Sequence, residues 1–160
     1  MPKLTYLQKK RKKTKIVYLR NPDRINKIIG KGVSAISFPE QRVIFVRQGR
    51  TNRTEIEHEK GHIALRHKNK QPTNPITHVN EELAADYYAY KSIGKPHHIL
   101  AHLRRLYNDL SFREYRIRPT SRILTIIKNG LDRLPDTPQG WREDYNKLLF
   151  EYRNYGYHRG

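Results

Sequence analysis

Asn52-Arg53-Thr54-Glu55-Ile56-Glu57-His58-Glu59-Lys60-Gly61-His62-Ile63-Ala64-Leu65 is the stretch around which the chain is organised. Asn52 with Glu55 and Thr54 with Glu57 both match a capping box, so a helix is expected to begin just before His58. Ile56, Ile63 and Leu65 supply apolar positions around it. On that helix His58 and His62 lie one turn apart on one face. Two imidazole nitrogens so placed can reach a single metal ion at about 2.0–2.1 Å. Glu59 projects beside such an ion rather than onto it, where it can take a proton from water. Gly61 disfavours a helix interior by about 0.8–1.0 kcal/mol against Ala, which makes sense if another backbone packs on that turn. The competing reading is a basic surface helix with two solvated histidines.

A second segment supplies what a metal site still lacks. Asn80-Glu81-Glu82-Leu83-Ala84-Ala85-Asp86 reads as the start of another helix, with Asn80 as its N-cap. Its apolar stripe is Leu83, Ala84, Tyr87 and Tyr88 or Tyr90. Glu82 and Asp86 share a face: Glu82 as a third zinc ligand, Asp86 as acceptor for the second ring N–H of a ligand histidine. An acidic first turn complementing the helix dipole would explain Glu81 and Glu82, but not Asp86.

His58-Glu59-x-x-His62 followed by Glu82-x-x-Ala85-Asp86 resembles the gluzincin arrangement of zinc metallopeptidases. Within that group, residues 33–94 are most similar to the ImmA/IrrE-type metallopeptidase domain. The parts that carry the likeness are Val33–Arg47 as a hairpin, Arg53-Thr54 before the motif, His67 after it, and Glu82–Ala89 as the second helix. The likeness departs after Ala89, where Tyr90-Lys91-Ser92-Ile93-Gly94 replaces an apolar, proline-ended continuation. The resemblance implies a metalloendopeptidase with Zn2+ on His58, His62 and Glu82, and cleavage of a specific regulatory protein such as a DNA-bound repressor. A metzincin would need a histidine where Lys68 stands. Membrane-embedded peptidases with these motifs need spans of ~20 apolar residues, which the sequence lacks.

Composition bounds the alternatives. The formal charge of +18 is uneven: residues 1–20 hold eight Lys or Arg and no acid, centred on Lys9-Lys10-Arg11-Lys12-Lys13. Residues 1–13 therefore read as an arm for nucleic acid or another polyanion, or as a solvated solubility arm. Six of the fifteen acids fall within residues 55–86, an acidic patch suited to a cation. The absence of cysteine rules out disulfides and thiolate metal sites and fits the cytoplasm. The N-terminus has no apolar stretch after its charges, so no secretory signal is expected. Low apolar content (36%) and mean hydropathy of −0.93 imply a modest core.

In chain order, Thr14–Arg20 reads as a strand, and Asn21-Pro22-Asp23 opens a short helix ending at Gly30. Val33–Phe38 and Arg42–Arg47 read as strands joined at Pro39-Glu40-Gln41, with Val43–Val46 either the edge that would bind an extended peptide or a strand paired on both sides. His67–Val79 reads as a loop. Pro96 opens a helix with Ile99, Leu100, Leu103, Leu106 and Leu110 on its apolar face and His97, His98 and His102 on its surface, a second metal site being the competing reading of these histidines. Ser111–Arg118 is Arg-rich, Ser121–Asn129 reads as a helix closed by Gly130, and Thr137-Pro138 starts the last one.

The expected fold is α+β: a small antiparallel sheet, an HExxH helix pair and a helical C-terminal half. Residues 14–160 form one domain, with the catalytic core in 14–94 and the helical part in 95–160. The expected activity is hydrolysis of peptide bonds in a protein or peptide substrate, with Glu59 as general base. Tyr87, Tyr88, His78 and Tyr107 are all open as oxyanion donors. The alternative is a basic nucleic-acid-binding protein with a structural or catalytically inactive zinc site, closed by His67 or His78.

Overall fold

The computed structural model describes residues 13–113 and 120–155. Nearly all of the basic arm and most of the Arg-rich segment lie outside these residues. The described chain is α+β and mostly helical: β1 (Lys15–Leu19), α1 (Pro22–Ile28), β2 (Ala35–Phe38), β3 (Val43–Arg47), α2 (Arg53–Ala64), α3 (Pro75–Ile93), α4 (Leu100–Asn108), α5 (Thr120–Asp132) and α6 (Trp141–Tyr155). A π-helical turn, Asp109–Arg113, continues α4.

The sheet is mixed, not antiparallel, with strand order β1-β3-β2. β2 and β3 form the expected hairpin, pairing Ile36 with Phe45 and Ser37 with Ile44. β1 runs parallel to β3, pairing Lys15 with Val43 and Leu19 with Arg47. The connection through α1 leaves β1 and β2 one strand apart. β2 runs antiparallel to β1 across that gap, so β3, folding back from β2 into it, runs parallel to β1. Val43–Val46 is therefore the central strand and not the edge, with Ile44 and Val46 fully buried. A run of β-branched and aromatic residues suits this doubly paired position.

Three helix starts show how local chemistry sets the frame. Asn21 accepts from the backbone N–H groups of Asp23 (2.9 Å) and Arg24 (3.1 Å), with Pro22 in the first turn. Asn52 and Glu55 form a reciprocal capping box on α2, at 2.9 and 2.8 Å. α3 begins earlier than expected. Asn74 caps it through the N–H of Ile76 at 2.8 Å and Pro75 takes the first turn, so Asn80 lies inside the helix.

α3 is the central helix because its faces meet different partners. Toward α2, a Cβ on Gly61 would stand 3.0 Å from Ala85 Cα and 3.1 Å from Tyr88 Cβ, so any larger residue would push the two helices apart by a few tenths of an ångström. On another face, Val79 and Leu83 join the main core with Leu103, Leu106, Ile127 and Trp141. Burying a leucine such as Leu83 contributes about 1.5–3 kcal/mol. Gly130 does not close α5, which runs on to Asp132. A Cβ there would meet Leu83 Cδ1 at 2.8 Å, so this glycine too serves a close helix contact.

α4 starts at Leu100 rather than Pro96, and buried Asp144 of α6 accepts the Ile99 N–H at 2.9 Å. α6 starts at Trp141 rather than at Pro138, whose carbonyl accepts the Trp141 N–H at 3.1 Å. Among the described residues, no helix is long and apolar enough to cross a membrane.

Candidate metal centre

The capping box sets the phase of α2, and the Gly61–Ala85 approach sets its distance from α3. Together they bring His58, His62 and Glu82 to one point. His58 Nε2 and His62 Nε2 are 3.1 Å apart. Glu82 Oε2 lies 3.4 Å from the first, and Oε1 lies 3.5 Å from the second. These three groups can hold a metal ion. Among the described residues, no fourth side chain joins them in one set.

The other ring nitrogens are held from behind. His58 Nδ1 is 2.8 Å from Asp86 Oδ1. An ionised carboxylate only accepts, so this contact puts the proton of a neutral His58 on Nδ1 and leaves Nε2 bare toward the centre. His62 Nδ1 is 2.7 Å from His67 Nδ1. His67 thus backs His62 from outside and does not close the site.

Lone pairs and carboxylates converge here with few protons to share, and the titration directions follow. Burial disfavours charge on His58, but Asp86 and Glu82 outweigh it and hold its pKa well above the ordinary range. Burial brings His62 down to about 4, with the neighbouring His58 and His67 adding to the fall against the pull of Glu82. Glu82 resists its own burial through His102 and His58 and lies well below the usual carboxylate range. A divalent cation would satisfy the same carboxylates without needing these protons.

Glu59 is adjacent but separate. Ser37 Oγ of β2 donates to Glu59 Oε2 at 2.5 Å. Burial raises the Glu59 pKa, partly offset by His58 and by the Ser37 hydroxyl and backbone N–H. Glu81 lies on the cleft wall, outside the metal set.

The centre opens into a cleft of about 620 Å3. Ser34, Ala35, Ile36 and Ser37 form one wall, and Lys68, Asn69, Gln71 and Pro72 contribute to the rim. Ser34 O accepts from Arg47 N at 2.8 Å, so the alternating ladder turns the backbone groups of Ala35 and Ser37 away from β3. The strand edge facing the cleft is β2. Of the residues left open as oxyanion donors, His78 lines the cleft. Tyr87, Tyr88 and Tyr107 do not, and Tyr107 donates to Thr120 Oγ1 at 3.1 Å.

No family model, curated protein or solved structure matches the chain.

His102 is the site residue that sequence reasoning placed wrongly. Expected on the surface, its side chain is 19% exposed, with Nδ1 2.5 Å from Asp86 Oδ2 and Nε2 3.2 Å from Glu82 Oε2. Burial opposes its charge, yet Asp86 and Glu82 raise its pKa to about 9. The signal was available in its spacing: Leu103, Leu106 and Leu110 set the buried face, and His102 borders it. Its neighbours differ, with the His98 side chain 88% exposed and His97 half-buried.

Proposed function

We propose that the chain is a zinc-dependent metalloendopeptidase of the gluzincin kind, closest in type to the ImmA/IrrE-type domain. The observation that carries this reading is the convergence of His58, His62 and Glu82 as one metal-capable set, His58 also belonging to a second set with Asp86 and His102. The residues fit zinc: tetrahedral ligands at 2.0–2.1 Å lie about 3.3–3.4 Å apart, and the separations here are 3.1, 3.4 and 3.5 Å. The nitrogen and carboxylate donors also suit that ion. When bound, zinc would polarise the scissile carbonyl and lower the pKa of water.

The protein's own residues supply the remaining steps. Glu59 accepts the proton of the attacking water and passes it to the leaving amine. Ser37 orients the carboxylate through its hydroxyl bond to Oε2. The outward backbone N–H and C=O of Ala35 and the C=O of Ser37 pair with an extended peptide and align it along the cleft. The substrate is a protein or peptide segment that can enter as a strand, in keeping with a regulatory protein target.

The net charge of +18 favours a second reading, a nucleic-acid-binding protein with a structural zinc. Structural zinc sites are closed by four protein ligands. Metal content and hydrolysis of a peptide library, with and without chelator, separate the two. Stoichiometric zinc with chelator-sensitive cleavage supports the peptidase, and zinc without cleavage overturns it.

A further inference from the structure

We infer that His102 of α4 is a positioning residue of the metal centre, clamping Glu82 and Asp86 together from the C-terminal helical half. This rests on the reading of His58, His62 and Glu82 as metal ligands. Four side chains form a closed ring: Glu82 Oε2 to His102 Nε2 (3.2 Å), His102 Nδ1 to Asp86 Oδ2 (2.5 Å), Asp86 Oδ1 to His58 Nδ1 (2.8 Å), and His58 Nε2 back to Glu82 Oε2 (3.4 Å). Only His102 comes from outside α2 and α3.

The chemistry of the contacts assigns its role. Both ring nitrogens of His102 face carboxylate oxygens, and carboxylates only accept, so both nitrogens donate. The Nε2 donor fixes the rotation of the Glu82 carboxylate, which would otherwise turn freely beside the histidine ligands. The Nδ1 donor fixes Asp86, which in turn orients His58. Without His102, two carboxylates one helical turn apart would face each other with no cation between them, and both would move.

Its position on α4 is rigid. Leu103 and Leu106, on the same helix, are at most 1% exposed in the main core. Asp144 of α6 holds the Ile99 N–H at the start of α4. The C-terminal half therefore reaches Glu82 and Asp86 through the His102 imidazole, although the three proposed ligands lie on α2 and α3.

Two substitutions separate the two bonds. The amide nitrogen of Asn occupies roughly the place of Nδ1, and that of Gln roughly the place of Nε2. The probes are zinc affinity by competition titration and the absorption spectrum of the cobalt(II) form, on full-length protein. His102→Asn, which loses the Glu82 bond, should bind zinc about 10–100-fold more weakly, with an altered cobalt spectrum. His102→Gln keeps the Glu82 bond and loses the Asp86 bond, so it should weaken zinc binding less than His102→Asn, because Asp86 still holds His58 directly. A packing role alone would lower the unfolding temperature of both variants and leave affinity and spectrum unchanged, which overturns the proposal. A larger loss in folded His102→Gln than in His102→Asn would also overturn it, because Glu82 would then not be the main group that His102 holds. If the wild-type chain binds neither zinc nor cobalt, the underlying metal reading falls first, and this inference with it.

Discussion

Ser37 on β2 donates its hydroxyl to Glu59 Oε2 on α2, so the edge strand and the helix bearing two histidines meet at one short hydrogen bond. The strand that would align a peptide thereby also orients the proposed base. The bond favours the ionised carboxylate, so Ser37→Ala should raise the Glu59 pKa and move the acid limb of the pH–rate profile to higher pH. Ser37→Thr should restore it. Zinc content should not change in either variant, and an acid limb that stays in place in Ser37→Ala would count against this coupling.

Glu59 contacts Ser37 and belongs to no metal set. Glu59→Gln should retain stoichiometric zinc and native stability while losing at least about 100-fold in hydrolysis, the scale of general-base contributions. Peptidase activity surviving in a clean preparation of this variant would remove Glu59 from the mechanism.

Glu82 faces both histidines, Asp86 sits behind His58, and Glu81 lies on the cleft wall outside the metal set. Zinc affinity should rank accordingly: Glu81→Ala near wild type, Asp86→Ala about 10–100-fold weaker, Glu82→Ala weakest. Competition titration with a chromophoric chelator gives the order directly. Loss of metal in Glu81→Ala with retention in Glu82→Ala would show that α3 is in another register.

Gly61→Ala tests the approach of α2 to α3. Helix propensity alone would make it stabilising by about 0.8–1.0 kcal/mol. The added Cβ meets backbone atoms of Ala85 at 3.0 Å, which cannot swing aside. Overpacking of about 1–3 kcal/mol should win, giving a net loss in urea unfolding and weaker zinc binding. A gain in stability would contradict the close approach.

In metal-free protein His102 holds its proton more tightly than an exposed histidine, with its pKa raised to about 9. Its contribution is complete below about pH 6.5 and is lost as pH rises through about 9. The loss is on the order of 3 kcal/mol at most. His58, also raised, acts in the same direction; His62, lowered to about 4, opposes them only up to about pH 6.5, and the depressed Glu82 and Asp86 matter only below about pH 4. Denaturant unfolding in chelator should therefore show lower stability at pH 9 than at pH 6, with a shallower dependence in His102→Asn. A flat wild-type profile would contradict the two-carboxylate environment.

Local chemistry made much of this protein legible from its residues. Helical spacing alone put His58 above His62 and Glu82 above Asp86, because side chains four apart on a helix share a face. Asn21-Pro22 and Asn52-Glu55 announced two helix starts through cap bonds that close within four residues. Gly61 implied a close neighbour, since its helical cost needs a compensating contact.

What remained hidden depends on which distant segments meet. β1 and β3 pair across 28 residues, so neither the parallel pairing nor the central place of Val43–Val46 is written in either strand. The start of α3 at Asn74, ahead of the Asn80 cap, needed a choice between two good caps that only packing made. Gly130 looked like a helix end and became a contact for Leu83 because α3 lies against α5. His102 was the costliest misplacement. Its local sequence is that of a basic amphipathic helix, and it becomes part of the centre only because the apolar face of α4 docks it onto Glu82 and Asp86. Hydrogen-bonded caps and helical phase are short-range and can be read in one segment. Strand order and the partners of a buried imidazole are long-range, and the packing of the whole chain decides them.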